Sequence, residues 1–223
     1  MPDPVFAPEA LRLFTLLRRG DCSRAAVLID QCVAESTVEA VHLTIMLPVI
    51  GLAGAWAARG EMPPEESQRT FAHIREILAR IRLRLRRQPP LGLKVVASNL
   101  PGEMHGAGLE LIGDWLWRDG WEVILPPISS TEPSIIQTVQ EHHPDMLAIS
   151  CSIPRQAAIA RRIIRTLRAS GFIRPIWIGG MAINGYPELF ARSLADHTAP
   201  EIVQFTRRLA TQFGYSTATP PGL

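Results

Sequence analysis

The residues with the clearest chemical potential lie in one short stretch, Asn99-Leu100-Pro101-Gly102-Glu103-Met104-His105-Gly106-Ala107-Gly108. A histidine among glycines lets a flat macrocycle come close to the backbone, because no Cβ stands in the way. His105 is therefore a candidate metal ligand. Glu103, two residues earlier, can accept a hydrogen bond from the ring nitrogen that does not bind metal, which fixes the tautomer and raises ligand basicity. The same pattern also fits a solvent-exposed loop histidine. Ser150 and the pair Gly179-Gly180 open two further loops worth inspecting. They fit a packed strand end and a tight turn equally well.

These positions need elements to hold them. Residues up to about Arg87 read as all helix, with apolar positions such as Leu11, Phe14 and Leu17 at the spacing of one face. Gly20-Asp21 separates the first helix from the second. A third, long and apolar helix follows Ser36-Thr37 and is expected to kink or rearrange at Pro48. A fourth starts after Pro63-Pro64, with Glu65 and Glu66 at the favourable end of its dipole. Residues 1–88 thus read as a helical bundle. Residues 89–92 (Pro-Pro-Leu-Gly) form a linker.

Beyond the linker the period changes. Short β-rich runs at Leu93–Ser98, Trp121–Leu125, Met146–Ser150 and Pro175–Ile178 alternate with helical stretches. The fold class is α/β: a flavodoxin-like, doubly wound parallel sheet over residues 93–215, preceded by the all-α bundle. Residues 216–223 read as a tail. Ligands of such sheets bind beyond the carboxyl ends of the strands, where the strand order switches. The loops beginning near Asn99, Ser150 and Gly179 are those loops.

Composition limits the alternatives. A chain of 223 residues with 47% hydrophobic and 20% charged content can bury a real core. Its net charge of +2 implies no strong nucleic-acid field. The arginine-rich stretches, at Arg80 to Arg87 and at Arg161, Arg162, Arg165 and Arg168, read as solvated helix faces. Cys22, Cys32 and Cys151 share no metal-type spacing, and an odd count argues against a disulfide framework, so a reduced cytoplasm is expected. No signal peptide is read at the N-terminus. Val38 to Ala58 is about long enough to cross a bilayer. Glu39, His42, Thr44 and Pro48 within it favour a buried bundle helix, so no membrane association is expected. His42 and His73 read as core or surface residues, and His142-His143 as partners of a helix C-terminus.

The segment Glu103-Met104-His105-Gly106-Ala107-Gly108 resembles the Asp-x-His-x-x-Gly signature of the cobalamin (B12) binding domain, with glutamate in the aspartate position. Ser150-Cys151-Ser152 resembles its Ser-x-Leu element, with Ser152 in place of leucine. Gly179-Gly180 resembles its glycine pair. The resemblance covers roughly Leu93 to Phe213, and the motifs stand in register on matching strands. It implies a corrinoid cofactor (adenosyl-, methyl- or hydroxocobalamin) with His105 on the lower face of cobalt and Glu103 as its partner. Gly108, Ser150, Ser152, Gly179 and Gly180 would complete the binding loops and the slot for the nucleotide tail. The stretch Met46 to Gly60 with Glu65-Glu66-Ser67 looks like the helical cap that often precedes this domain. Trp56 and Glu66 keep the cap spacing of B12-dependent photoreceptors. Ser67 and Ala57 stand where those proteins carry histidines.

Three functions follow as expectations. The main one is a corrinoid-binding sensor, not an enzyme, that answers light or cofactor state and acts on a protein partner such as a transcription regulator. It would resemble an antirepressor, with no direct DNA contact and with homo-oligomerisation compatible. The alternative is a corrinoid methyl carrier serving separate methyltransferases. A third is a derivative that binds haem or a bilin, which the departures at Ser152 and Ser67 keep open. No autonomous active site is read, and Cys151 is taken as a small buried residue.

Overall fold

The computed structural model of the chain describes residues 6–103, 106–190, 195–199 and 201–217. It divides into two compact units, Met1–Arg86 and Arg87–Leu223.

In the first unit α1 (Pro8–Arg19) begins with proline at its first helical position and ends on Gly20 in the left-handed region (φ 75°). Asp21 caps α2 (Cys22–Glu35) by accepting from the Arg24 N–H. Thr37 caps α3 (Val38–Val41) in the same way through Ala40. The helical path then widens into a π turn over His42–Met46 and resumes as α4 (Leu47–Ala58). Pro48 explains the turn. It has no N–H to give the Thr44 carbonyl, and its ring would press on that carbonyl in a regular helix. The Leu47 N–H instead reaches back five residues to His42 O, and the expected rearrangement at Pro48 takes this form.

α5 (Pro64–Arg82) closes the unit. Leu13, Leu17, Ile29, Met46, Val49, Ile74, Leu78 and Ile81 form the buried interior of this unit. Val38–Ala58, by length and composition, would suffice to cross a membrane. Here it packs against α1 and α5. Arg80 pairs with Asp30 across α5 and α2, so part of the arginine cluster is engaged in ion pairs.

The second unit holds β1 (Lys94–Asn99), α6 (Ala107–Arg118), β2 (Glu122–Ile124), α7 (Glu132–His142) and β3 (Met146–Ser150). A 3₁₀ turn over Pro154–Gln156 leads into α8 (Ala157–Ala169). Then come β4 (Ile176–Gly179), the short helices α9 (Met181–Gly185) and α10 (Pro187–Phe190), β5 (His197–Ala199) and α11 (Ile202–Phe213). All strands are parallel, in the order β2-β1-β3-β4-β5. Alternation along the strands sorts two cores. Val95, Ala97 and Trp177 pack with Leu109, Leu116, Phe205 and Leu209 of α6 and α11. Val96, Leu147, Ile176 and Ile178 pack with Ile135, Val139, Ile163 and Leu167 of α7 and α8.

Two features depart from the sequence reading. His197–Ala199 adds a fifth strand; at three residues on the sheet edge it has no apolar run to announce it. Residues 87–91 are fixed to the second unit instead of standing free. Gln88 N–H donates to Arg118 O (2.7 Å) and Leu91 N–H to Gly120 O (3.0 Å), while the Arg87 guanidinium covers the Trp117 ring. At the other end of the chain, Tyr215 accepts from the Trp121 indole N–H, and the Thr217 hydroxyl donates to the buried Asp119.

Candidate functional site

The strand register brings three of the loops together. Asn99, Ser150 and Gly179 are consecutive partners across β1, β3 and β4, so they form one row at the carboxyl edge of the sheet. In the order 2-1-3-4-5 the chain reverses direction across the sheet between β1 and β3, which places this row at the switch point.

The loop after β1 opens with a type II turn, Leu100-Pro101-Gly102-Glu103, closed by the Glu103 N–H donating to Leu100 O (3.1 Å). Proline suits its second position, and Gly102 takes the positive φ (81°) that the third requires. The turn buries Glu103, which is 1% exposed. His105 lies outside the described residues. Gly106 follows as a buried residue. A Cβ there would stand 3.0 Å from Ile128 Cδ1 and 3.2 Å from Asn99 Nδ2, so a larger residue would press on both side chains. Gly108, in the first turn of α6, meets nothing within 4 Å of where its Cβ would be. It leaves open space beside the first turn of α6.

The loop after β3 is tied to both neighbours. Cys151 N–H donates to Gly179 O (2.8 Å), and Ala182 N–H to Cys151 O (3.2 Å). Ser150 and Ser152 are half-buried on either side of Cys151. Gly180 has φ 108° and ψ 172°, a region essentially restricted to glycine. A Cβ on it would overlap the Cys151 backbone, 2.8 Å from the carbonyl carbon. Gly179 is constrained from the other side, where its Cβ would stand 2.8 Å from Ala199 O of β5. The pair therefore serves close approach of three strand ends. Burial pushes the Cys151 thiol up to about 12, so it stays protonated and is no nucleophile near neutral pH.

Two side chains at this edge were not singled out from the sequence. Asn99 Oδ1 is buried with no hydrogen-bond partner among the described residues. Gln156 is 2% exposed, and its amide donates to Pro101 O (3.1 Å). Neither belongs to a recognisable motif; only the register and the path of the loops bring them here.

Trp56 and Glu66 lie in the first unit and share a neighbour that the sequence did not point to. Arg18 donates to Glu66 Oε1 from Nε (2.8 Å), and its guanidinium carbon lies 4.4 Å from the Trp56 ring centroid. Phe14 meets the same ring edge-on at 5.4 Å. Arg18 sits 38 residues before Trp56, beyond any local periodicity. Ser67 is buried, His42 is fully buried, and His73 donates from Nδ1 to Leu17 O (2.9 Å).

The second unit is thus an open parallel sheet whose glycine-containing loops meet at the switch point, the place where such sheets bind ligands. Residues 93–203 match the model of the B12 binding domain, and this part of the chain belongs to that family. Several solved structures are similar. A monomethylamine corrinoid protein from Methanosarcina barkeri aligns with a TM-score of 0.72 over 90% of this chain and 96% of that one, at 11% identity. A cobalamin-binding protein from Desulfitobacterium hafniense DCB-2 aligns with a TM-score of 0.49 over 91% and 97%, at 16% identity. The methanol:cobalamin methyltransferase complex from Methanosarcina barkeri gives 0.49 over 95% and 83%, at 13% identity. A comparison with curated protein sequences finds no match.

The residues present fit such a cofactor. A ligand carrying amide groups would satisfy the buried Asn99 Oδ1, since a buried acceptor is rarely left unpaired. The glycines allow a macrocycle and its tail to approach the backbone at the strand ends.

Proposed function

We propose that this corrinoid-binding chain is a methyl carrier that serves a separate methyltransferase. The observation that carries the reading is the extent of the likeness to the monomethylamine corrinoid protein, which includes the helical unit as well as the family domain. When bound, the corrinoid supplies a cobalt centre able to accept and release a methyl group. In this reading His105 would hold the cobalt, and the buried Glu103 carboxylate would orient its ring. Ser150, Ser152, Gly179 and Gly180 would line the slot for the nucleotide tail, and Gly108 would leave room for the corrinoid beside α6. Asn99 offers an acceptor to the cofactor's periphery.

A second reading, the light- or cofactor-responsive sensor acting on a transcription regulator, is favoured by one observation: Arg18 gathers Trp56 and Glu66 into a single cluster. Both readings place the protein in the cytoplasm. They separate when the full chain is loaded with cobalamin and its spectrum and oligomeric state are followed. The carrier is expected to change its spectrum on reduction followed by methyl iodide, and to keep its oligomeric state under illumination. A light-driven change in oligomeric state, with no methylation after reduction, would replace the carrier by the sensor.

A further inference from the structure

We infer that Gln156 is a positioning residue that locks the turn presenting the Glu103 loop to the cofactor, an inference that rests on the corrinoid reading above. The turn Leu100–Glu103 has two accessible forms. In type II the central peptide, Pro101–Gly102, points its carbonyl one way and Gly102 holds φ 81°; in type I the peptide is flipped and the third residue has φ near −90°. The closing bond, Glu103 N–H to Leu100 O, is common to both forms and cannot choose between them.

The Gln156 amide makes the choice. It donates to the Pro101 carbonyl, the oxygen that moves in a flip, at 3.1 Å and from a buried position. The Pro101 carbonyl can only accept, so it fixes the NH2 end of the amide on the turn and leaves the amide oxygen facing the Cys151 thiol at 3.8 Å. The 3₁₀ turn Pro154–Gln156 directly after β3 brings it there.

The consequence is a coupling between two loops with different tasks. One end of the contact is the turn that buries Glu103, two residues before the proposed cobalt ligand. The other is the loop of Ser150, Cys151 and Ser152, proposed to line the tail slot. A tail seated between β3 and β4 would therefore stiffen the same segment that aims the lower ligand. Without the Gln156 donor the central peptide is free to turn over, and the Glu103 carboxylate loses its fixed direction.

The test uses the full chain loaded with cob(II)alamin and reads the nitrogen splitting of the cobalt electron paramagnetic resonance, alongside uptake and thermal unfolding. Two variants approach the turn from opposite sides. Gln156→Met keeps length and burial but removes the amide. Gly102→Ala disfavours the positive φ without steric conflict, because nothing lies within 4 Å of the added Cβ. Each is expected to take up corrinoid and to weaken the imidazole ligation equilibrium by about tenfold, read as a lower ligated fraction, the scale on which supporting groups act on a metal ligand. The double variant is expected to add little, since both release one peptide. If Gln156→Met fails to fold, Gly102→Ala carries the test. Wild-type ligation with an equal ligated fraction in the variants would overturn this inference and leave the corrinoid reading intact. A wild-type chain with no corrinoid uptake or no imidazole splitting would overturn both.

Discussion

Gly180→Ala is expected to destabilise the second unit by about 3 kcal/mol and to abolish corrinoid uptake, with a fall in Tm of roughly 6–12 °C. Two costs combine. The backbone at φ 108°, ψ 172° is closed to any residue with a Cβ, and the added methyl overlaps the Cys151 peptide. That peptide cannot step aside cheaply. Its N–H is held by Gly179 O and its carbonyl by the Ala182 N–H, so relief would break the joint between β3 and β4. The same joint is the wall of the proposed tail slot, which is why stability and binding should fall together. Gly179→Ala is expected to cost less, because its conflict is with Ala199 on the short edge strand β5, which is free to shift on its outer side. Calorimetric unfolding of the two variants, with corrinoid titration below their transitions, checks the order. Equal stability of Gly180→Ala and wild type would refute the strand-joint argument.

Arg118→Ala is expected to be at least as damaging to stability, by about 3–5 kcal/mol, through a different mechanism. Arg118 and Asp119 form an ion pair with side chains 1% and 0% exposed, at 2.8 Å. The guanidinium also lies over the Trp115 ring, 4.6 Å from its centroid. Removing the arginine leaves the Asp119 carboxylate buried with its main counter-charge gone and opens a void beside Trp115. Arg118→Met fills most of that volume, so the difference between the two variants separates lost packing from lost charge. The cluster stands at the end of α6, just before β2 begins, at the edge of the sheet opposite the row of Asn99, Ser150 and Gly179. Arg118→Ala should therefore lower the unfolding midpoint in urea while leaving corrinoid affinity of the folded fraction unchanged. A loss of affinity with normal stability would contradict this division of roles.

Much of the fold was legible because its signals are local. The change from helical spacing before Arg87 to alternating strands and helices after Leu93 marks the two units, and Pro48 marks the disturbed helix. The strand-end loops could be found because a parallel sheet places its ligand there regardless of sequence detail. β5 escaped because three residues on an edge carry no periodicity. The attachment of residues 87–91 escaped because it rests on backbone bonds and on Arg87 meeting Trp117, which no spacing encodes. Glycine at 179 and 180 was readable as a motif, but its reason is the proximity of Cys151 and Ala199, a tertiary fact. Arg18 and Gln156 are of the same kind: each acts on residues far away in sequence.

The most direct test of corrinoid binding through His105 is the electron paramagnetic resonance of cob(II)alamin bound to the full chain and to its His105→Ala variant. With the protein labelled with 15N-histidine, the expected result is two-line splitting by one imidazole nitrogen in the wild type and its loss in His105→Ala. An identical spectrum in both, or no uptake by the wild type, would contradict the assignment.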